Sequence, residues 1–199
     1  PDLTGTWRRA KANGYDGFNG NSDLTGMTDI TNVTGIMKAG EMDVFDRDAP
    51  FVQDFIYRNG WRNLRAVQVA AADVIFNSDD NLLLTASTAS GKTEAAFFPI
   101  ISEFWERPPA SIGCLYIGPL KALINDQFLR LNELCDQAGI PVWHWHGDVS
   151  QSHKDRLMRN PSGILQITPE SLESMVMHKH MAIPRLFGDL RYVVIDEVH

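Results

Sequence analysis

"LLLTASTASGKTEAAF", residues Leu82–Phe97, passes from an unbroken apolar run through a cluster of small residues into Gly-Lys-Thr, and then into good helix formers. Its reading decides the fold. A buried strand, a small-residue turn and a helix start form the context of a phosphate-binding loop. In such a loop successive backbone N–H groups and the helix N-terminus converge on phosphate, a lysine reaches the terminal phosphates, and a hydroxyl binds Mg²⁺. Gly91, Lys92 and Thr93 fit those roles. The strict pattern G-x-x-x-x-G-K-[ST] fails at its first place, where Ala86 stands. Taken alone, the turn also reads as a simple cap between a strand and a helix.

Working outward, short apolar runs alternate with helical segments. Leu82 to Thr85, Ile112 to Ile117, Val142 to Trp145, Ile164 to Ile167 and Tyr192 to Ile195 read as strands. Between them, Lys92 to Trp105, Leu120 to Ala138, Ser152 to Arg159 and Ser171 to His178 carry apolar residues at spacings of three and four. The pattern is clearest from Leu120, with Leu123, Ile124, Phe128, Leu131 and Leu134 on one side. Strands that are apolar on both sides and separated by helices predict a mostly parallel sheet covered on both faces, because parallel pairing requires crossover connections. The expected class is an α/β sandwich.

The first 49 residues differ. They hold seven of the fifteen glycines among Asn, Asp and Thr, without a sustained apolar period, and read as an irregular extension with short elements around Ile30 to Met37. From Pro50 the pattern changes: Phe51, Phe55 and Ile56 stand at helical spacing with Gly60 as a stop, and Val67, Ala70, Ala71, Val74 and Ile75 share one face of a second helix. The boundaries are therefore 1–49 for the extension and 50–199 for the folded domain. With 199 residues, 44% of them hydrophobic, the chain can bury a core. A net charge of −7 excludes nucleic-acid binding by a blanket of positive charge, so any such contact must be local. Cys114 and Cys135 sit in apolar stretches and read as reduced core thiols, which suits a cytoplasmic setting. No apolar run has the roughly 18 residues of a membrane span.

The second half of a nucleotide site is an acid at the end of another buried strand. "YVVIDEVH", Tyr192 to His199, places Asp196 at the C-terminal edge of the sheet, where open α/β sheets bind ligands. Asp196 there can hold Mg²⁺ through water, and Glu197 can orient or deprotonate an attacking water. Two acids ending a strand are common; together with a phosphate loop in the same sheet they are not.

These residues resemble the superfamily-two helicases, and within them the first RecA-like domain of DExH-type enzymes. "ASTASGKT" (Ala86 to Thr93) is similar to motif I, in which alanine often replaces the first glycine, and "DEVH" resembles motif II. "PLKAL" (Pro119 to Leu123) resembles motif Ia, "HGD" (His146 to Asp148) occupies the place of a short turn motif, and "TPESL" (Thr168 to Leu172) resembles motif Ib. The wording of "GPLKALINDQ" and "QITPESLE" is similar to the Lhr (large helicase-related) branch, which implies a DNA-translocating enzyme. Upstream, "GWRNLRAVQ" (Gly60 to Gln68) resembles the adenine-reading Q motif, with Leu64 where proline is usual. A carboxamide such as Gln68 can pair in two places with adenine N6 and N7. Phe51, seventeen residues earlier, stands where the family carries an isolated aromatic, and equally reads as a core residue.

The resemblance implies a RecA-like P-loop NTPase fold, ATP and Mg²⁺ as cofactors, and a nucleic-acid partner, with single-stranded DNA favoured over RNA. It assigns Gln68, Ala86, Ser87, Thr88, Ala89, Ser90, Gly91, Lys92 and Thr93 to nucleotide, Thr93 and Asp196 to Mg²⁺, and Lys92, Asp196 and Glu197 to catalysis. Pro119, Lys121, Thr168, Pro169 and Glu170 become the nucleic-acid contacts, working through main-chain N–H groups, hydroxyls and a helix start rather than a basic patch. The family's later motifs and its second RecA-like domain follow motif II, so the chain reads as a piece of a longer helicase. A nucleotide-gated binding module without motor activity is the alternative. Thr168-Pro169 also reads as a helix cap followed by proline in the first turn. His144 and His146 alternate onto one face of a strand, without the further ligands that a structural zinc requires.

Overall fold

The computed structural model describes residues 4–9, 27–29, 40–61, 63–85 and 90–197, with side chains from residue 44 onward. In chain order the elements are β1 (Thr4–Arg9), β2 (Met27–Asp29), α1 (Gly40–Arg47), α2 (Pro50–Arg58), α3 (Ala66–Asn77), β3 (Asn81–Thr85), α4 (Lys92–Glu106), β4 (Ile112–Ile117), α5 (Lys121–Asp136), β5 (Val142–Trp145), α6 (Gln151–Arg159), β6 (Gly163–Ile167) and α7 (Pro169–His178). A 3₁₀ turn (His180–Ala182), α8 (Ile183–Leu186) and β7 (Tyr192–Ile195) complete them. The strands and helices expected from Leu82 onward are all present, with boundaries shifted by a residue or two.

The strands form one sheet in the order β2-β3-β1-β7-β4-β6-β5. Pairing is parallel for β4 with β6, β4 with β7, β5 with β6 and β2 with β3. Thr4–Arg9 is the exception, lying antiparallel between β3 and β7. The extension is thus not wholly irregular: it contributes β1 inside the sheet and β2 at its edge. Burial also begins before Pro50, since Val44 and Ala49 join the main core. The expected elements at Ile30 to Met37 lie outside the described residues.

One face of the sheet, with Leu82, Leu84, Cys114, Tyr116, Ile164 and Val194, packs under α3, α4 and α5. The other face carries Leu115, Trp143, Trp145, Leu165 and Ile167 against Leu157 of α6, Met175 of α7 and Leu186 of α8. This α/β sandwich follows from the double-sided apolar strands. Both cysteines are free and buried in the first layer, where burial pushes their thiols up, Cys135 to about 12. Phe51 is buried and packs on Trp105 with ring centroids 5.6 Å apart, which makes it a core residue. Among the described residues no helix is long and apolar enough to cross a membrane.

One acid in this core is out of place by composition. Asp48, between α1 and α2, is only 4% exposed; the Ser102 hydroxyl lies 3.4 Å from its Oδ1 while donating to the Phe98 carbonyl at 2.7 Å. Burial raises its carboxyl from 3.8 to about 7, against a smaller lowering by Ser102. The folded state therefore holds a proton that the unfolded chain releases, and stability falls as pH rises through this window. Asp48→Asn is expected to raise the melting temperature by an increment that grows from about pH 4 to pH 7 and then levels off, as followed by thermal melts of both proteins across pH.

Candidate functional site

The parallel strands all point their C-terminal ends the same way, so the segments leaving them converge on one edge. From β3 the chain reaches Ser90 and Gly91 and enters α4 at Lys92. Gly91 has φ +85°, and a Cβ there would lie 2.8 Å from Gln68 Nε2. Only glycine takes this left-handed turn without strain while leaving room for the carboxamide. The first turn of α4 leaves amides without an intrahelical partner. Ala86, Ser87, Thr88 and Ala89 lie outside the described residues.

Gln68 stands at the third position of α3, buried, with its Oε1 accepting the Arg65 N–H at 2.8 Å. Its Nε2 is buried without a partner among the described residues, as is the Ser90 hydroxyl. A carbonyl oxygen has two lone pairs, so Oε1 retains one for an incoming donor while Nε2 can donate. These orphaned groups border the turn, and burying them unpaired costs about 1–3 kcal/mol each. Thr93 Oγ1 accepts from Gln127 Nε2 of α5 at 3.1 Å, and Arg130 of α5 pairs with Glu94 one residue on.

Asp196 leaves β7 with its backbone N–H still bonded to the Ile117 carbonyl of β4, at 2.9 Å. Its Oδ2 accepts from the Tyr116 hydroxyl at 2.6 Å, and its Oδ1 from the Glu197 N–H at 3.0 Å. Tyr116 was not singled out by sequence reasoning. The available signal was its place in the strand paired with β7, where it faces Val194, two residues before the acid. Burial first, and then the adjacent Asp196 carboxylate, hold the phenol above its usual range, so it remains a donor. Glu197 adopts φ +53°, an uncommon conformation for a residue with a side chain. Such backbone strain costs on the order of 1–3 kcal/mol and concentrates at functional sites.

Beyond β4, β5 and β6 the same edge opens into a cleft of about 600 Å³. Of the five residues assigned to nucleic acid, Pro119, Lys121, Thr168 and Glu170 line it and Pro169 does not; Trp145, Lys154, Ser174 and Lys179, which the motifs did not indicate, line it as well. Lys121, Lys154 and Lys179 line it together with Glu170, and Asp148 pairs with Lys121, so three lysines meet two carboxylates on a chain of net charge −7. Lys154 also lies over the Trp145 ring, 5.5 Å from its centroid. Thr168 corrects a detail: its hydroxyl donates to Ser171 Oγ at 2.9 Å instead of capping a backbone N–H of α7. Its side chain is buried, which leaves the backbone and the neighbouring residues to face the cleft.

Lys121 is held at 3.1 Å by Asp148, whose carboxyl it keeps below the usual range. This pair is exposed and water-screened, so a phosphate can compete for the lysine at little cost. His146 braces the turn: Nε2 meets Asn125 Oδ1 at 2.9 Å, and Nδ1 accepts the Asp148 N–H at 3.4 Å. His144 stacks between His146 and His153, at 5.6 and 4.9 Å. Burial, reinforced by its neighbours, lowers His144 to about 4. Among the described residues no three His, Cys, Asp or Glu side chains are grouped to hold a metal.

A glycine turn entering α4 after β3, an acid pair leaving β7 and a lysine-bearing cleft beyond β4, β5 and β6 lie on one sheet edge. Residues 65–199 match the family model of the DEAD/DEAH box helicases. The chain belongs to the DEAD/DEAH box helicase family. ATP-dependent helicase YprA of Bacillus subtilis is 32% identical over 60% of the chain and 16% of its own length. ATP-dependent helicase Lhr-Core of Methanothermobacter thermautotrophicus is 30% identical over 75% of the chain and 19% of its own length. The structure of Mycobacterium smegmatis helicase Lhr bound to ssDNA and AMP-PNP superposes with a TM-score of 0.59 at 25% identity, covering 74% of this chain and 20% of that one. The chain therefore spans about a fifth or less of the length of these three helicases.

Within this helicase domain the hydroxyl of Tyr116 is separable from its ring, which packs on Phe97 at 5.9 Å. Tyr116→Phe is expected to retain the fold but lose about 1–2 kcal/mol, because a bond to a carboxylate disappears at a partly buried site. Urea melts of the two proteins measure this, with unchanged far-UV dichroism as the check on fold.

Proposed function

We propose that this chain is the ATP-binding RecA-like domain of a helicase that hydrolyses ATP to move along single-stranded nucleic acid, DNA in preference to RNA. The observation that carries the reading is that Gly91–Thr93, Asp196–Glu197 and the lysine-bearing cleft share one sheet edge. The orphaned Gln68 Nε2 and Ser90 hydroxyl, the glycine turn and the two acids are the donor and acceptor set that a nucleoside triphosphate with Mg²⁺ requires.

In this reading the first-turn amides of α4 cradle phosphate oxygens, and Lys92 brings a point charge to the terminal phosphates. Gln68 reads the adenine edge. Thr93 supplies a hydroxyl, and Asp196 a carboxylate held in place by Tyr116, for Mg²⁺, which when bound neutralises charge developing on the transferred phosphoryl group. Glu197 orients the attacking water and accepts its proton. Lys121, the start of α7 and the other cleft lysines engage the phosphate backbone, which needs no base-specific contact. A second RecA-like domain of the same full-length protein supplies the arginines, a contribution of roughly 10³ to 10⁵ in rate. Intact Lys92, Asp196 and Glu197 favour a motor over a binding module that never hydrolyses nucleotide.

Calorimetry on the chain is expected to show Mg²⁺-dependent ATP binding that Lys92→Ala abolishes. In the full-length protein Glu197→Gln is expected to keep binding while lowering strand-stimulated phosphate release at least about 100-fold, the scale of a lost general base. Equal loss of binding and turnover would refute the division of roles between the two acids.

A further inference from the structure

The layer between α5 and the sheet contains polar groups that neither the nucleotide site nor the cleft explains. Gln166, in the middle of β6, is 0% exposed, and neither Oε1 nor Nε2 has a partner among the described residues. In register it lies between Tyr116 of β4 and His144 of β5, on the face that α5 covers. Gln127 of α5 points into the same layer, one turn from the buried Ile124 and Leu131. It spends Nε2 on Thr93 Oγ1, at 3.1 Å, while its Oε1 is buried and unpaired. His144 Nδ1 is also orphaned. A half-satisfied interior network costs more than an apolar one and is first in line for a role other than stability.

We infer that Gln127 and Gln166 form a polar relay that couples the Thr93 hydroxyl to the nucleic-acid cleft, Gln127 acting as a positioning residue. This rests on the reading of Thr93 as the hydroxyl that binds Mg²⁺. As the chain stands, Thr93 accepts a hydrogen bond from Gln127. A hydroxyl that gives a lone pair to a divalent cation becomes a poorer acceptor and a better donor, so it favours the opposite face of the carboxamide. Rotating the Gln127 amide by half a turn presents Oε1 to Thr93 O–H and swings Nε2 into the layer. Gln166, buried in the same layer, has both its oxygen and its amide uncommitted and is the group proposed to receive the change. The response has a mechanical path to the cleft. Gln127 lies on the same helix as Lys121, and as Asn125, which holds His146 at the turn that presents Asp148 to Lys121.

The test uses methionine, which keeps the volume of glutamine without its polar atoms. The affinity of the chain for a non-hydrolysable ATP analogue is measured by calorimetry with and without Mg²⁺, and that for a short oligothymidylate with and without the Mg²⁺-bound analogue. Gln127→Met is expected to reduce the tightening produced by Mg²⁺ by about 3- to 10-fold, the scale of one hydrogen bond, and to reduce the tightening of the oligonucleotide by analogue. Gln166→Met changes both in the same direction, and the double variant is no worse than Gln127→Met alone, because the two residues act in series. Neither change lowers the melting temperature, since each removes buried polar atoms that lack full pairing. If Gln127→Met misfolds, Gln127→Asn, which keeps the amide but falls short of Thr93, must reproduce the weakened Mg²⁺ response. An unaltered Mg²⁺ response in a folded variant, or effects that multiply in the double variant, would overturn the relay while leaving the site assignment intact. If the unsubstituted chain binds the analogue without any response to Mg²⁺, the site assignment fails and the relay with it.

Discussion

β4 is hydrogen-bonded in parallel to β7 on one side and to β6 on the other, and the chemistry of the chain hangs on that double ladder. The pairing does not stop at the strand ends. Gly118 N–H still reaches the Ile167 carbonyl at 3.1 Å, Asp196 N–H the Ile117 carbonyl at 2.9 Å, and Thr168 N–H the Trp145 carbonyl at 3.4 Å. These bonds carry the geometry of the sheet one residue into the connecting segments. The residue that ends each ladder is the residue that begins a functional segment: Asp196 of the acid pair, Gly118 before Pro119, and Thr168 before α7. A site assembled from four strand exits is therefore positioned by backbone pairing, and its side chains need only local corrections. Tyr116 makes one such correction, from within β4, by fixing the carboxylate that β7 delivers.

What could be read from the sequence was what periodicity and local chemistry determine. Double-sided apolar runs announced parallel strands, and Gly91-Lys92-Thr93 after an apolar run announced a turn into a helix, which Gly91 makes at φ +85°. Asp196 and Glu197 were legible because they end an apolar run. The remaining features depend on residues distant in sequence. Tyr116 lies 80 positions from Asp196, and only the β4–β7 register brings them together. Lys154 lies on α6 and Lys179 just past the end of α7, and only the packing of these helices on the second face of the sheet brings both to the cleft that Lys121 lines. The Thr168 hydroxyl prefers the Ser171 hydroxyl to a backbone amide, a competition between two acceptable partners that local sequence does not decide. β1 was missed for another reason: "TGTWRR" has no alternating apolar pattern, and its place in the sheet depends on β3 and β7.

The acidic composition and the basic cleft are compatible because they act at different ranges. Net charge governs the field at distances beyond the Debye length, about 8 Å at physiological ionic strength, where salt screens it. Within the cleft the nearest charges are Lys121, Lys154 and Lys179 beside Glu170 and the Asp148 paired with Lys121, and the lysines outnumber the carboxylates there. A negative surround disfavours a polyanion wherever those lysines are absent, so the proposed strand binding has one place to occur. The Asp148 carboxylate adds a further condition: it occupies Lys121 in the free chain, so a strand must exchange one exposed ion pair for another. That exchange is nearly neutral in energy, since exposed pairs contribute about 0–1 kcal/mol. Tight binding cannot come from Lys121 alone. It has to come from several weak contacts made at once, and contacts of that kind exchange one by one at little cost, as the proposed passage of a strand through the cleft requires.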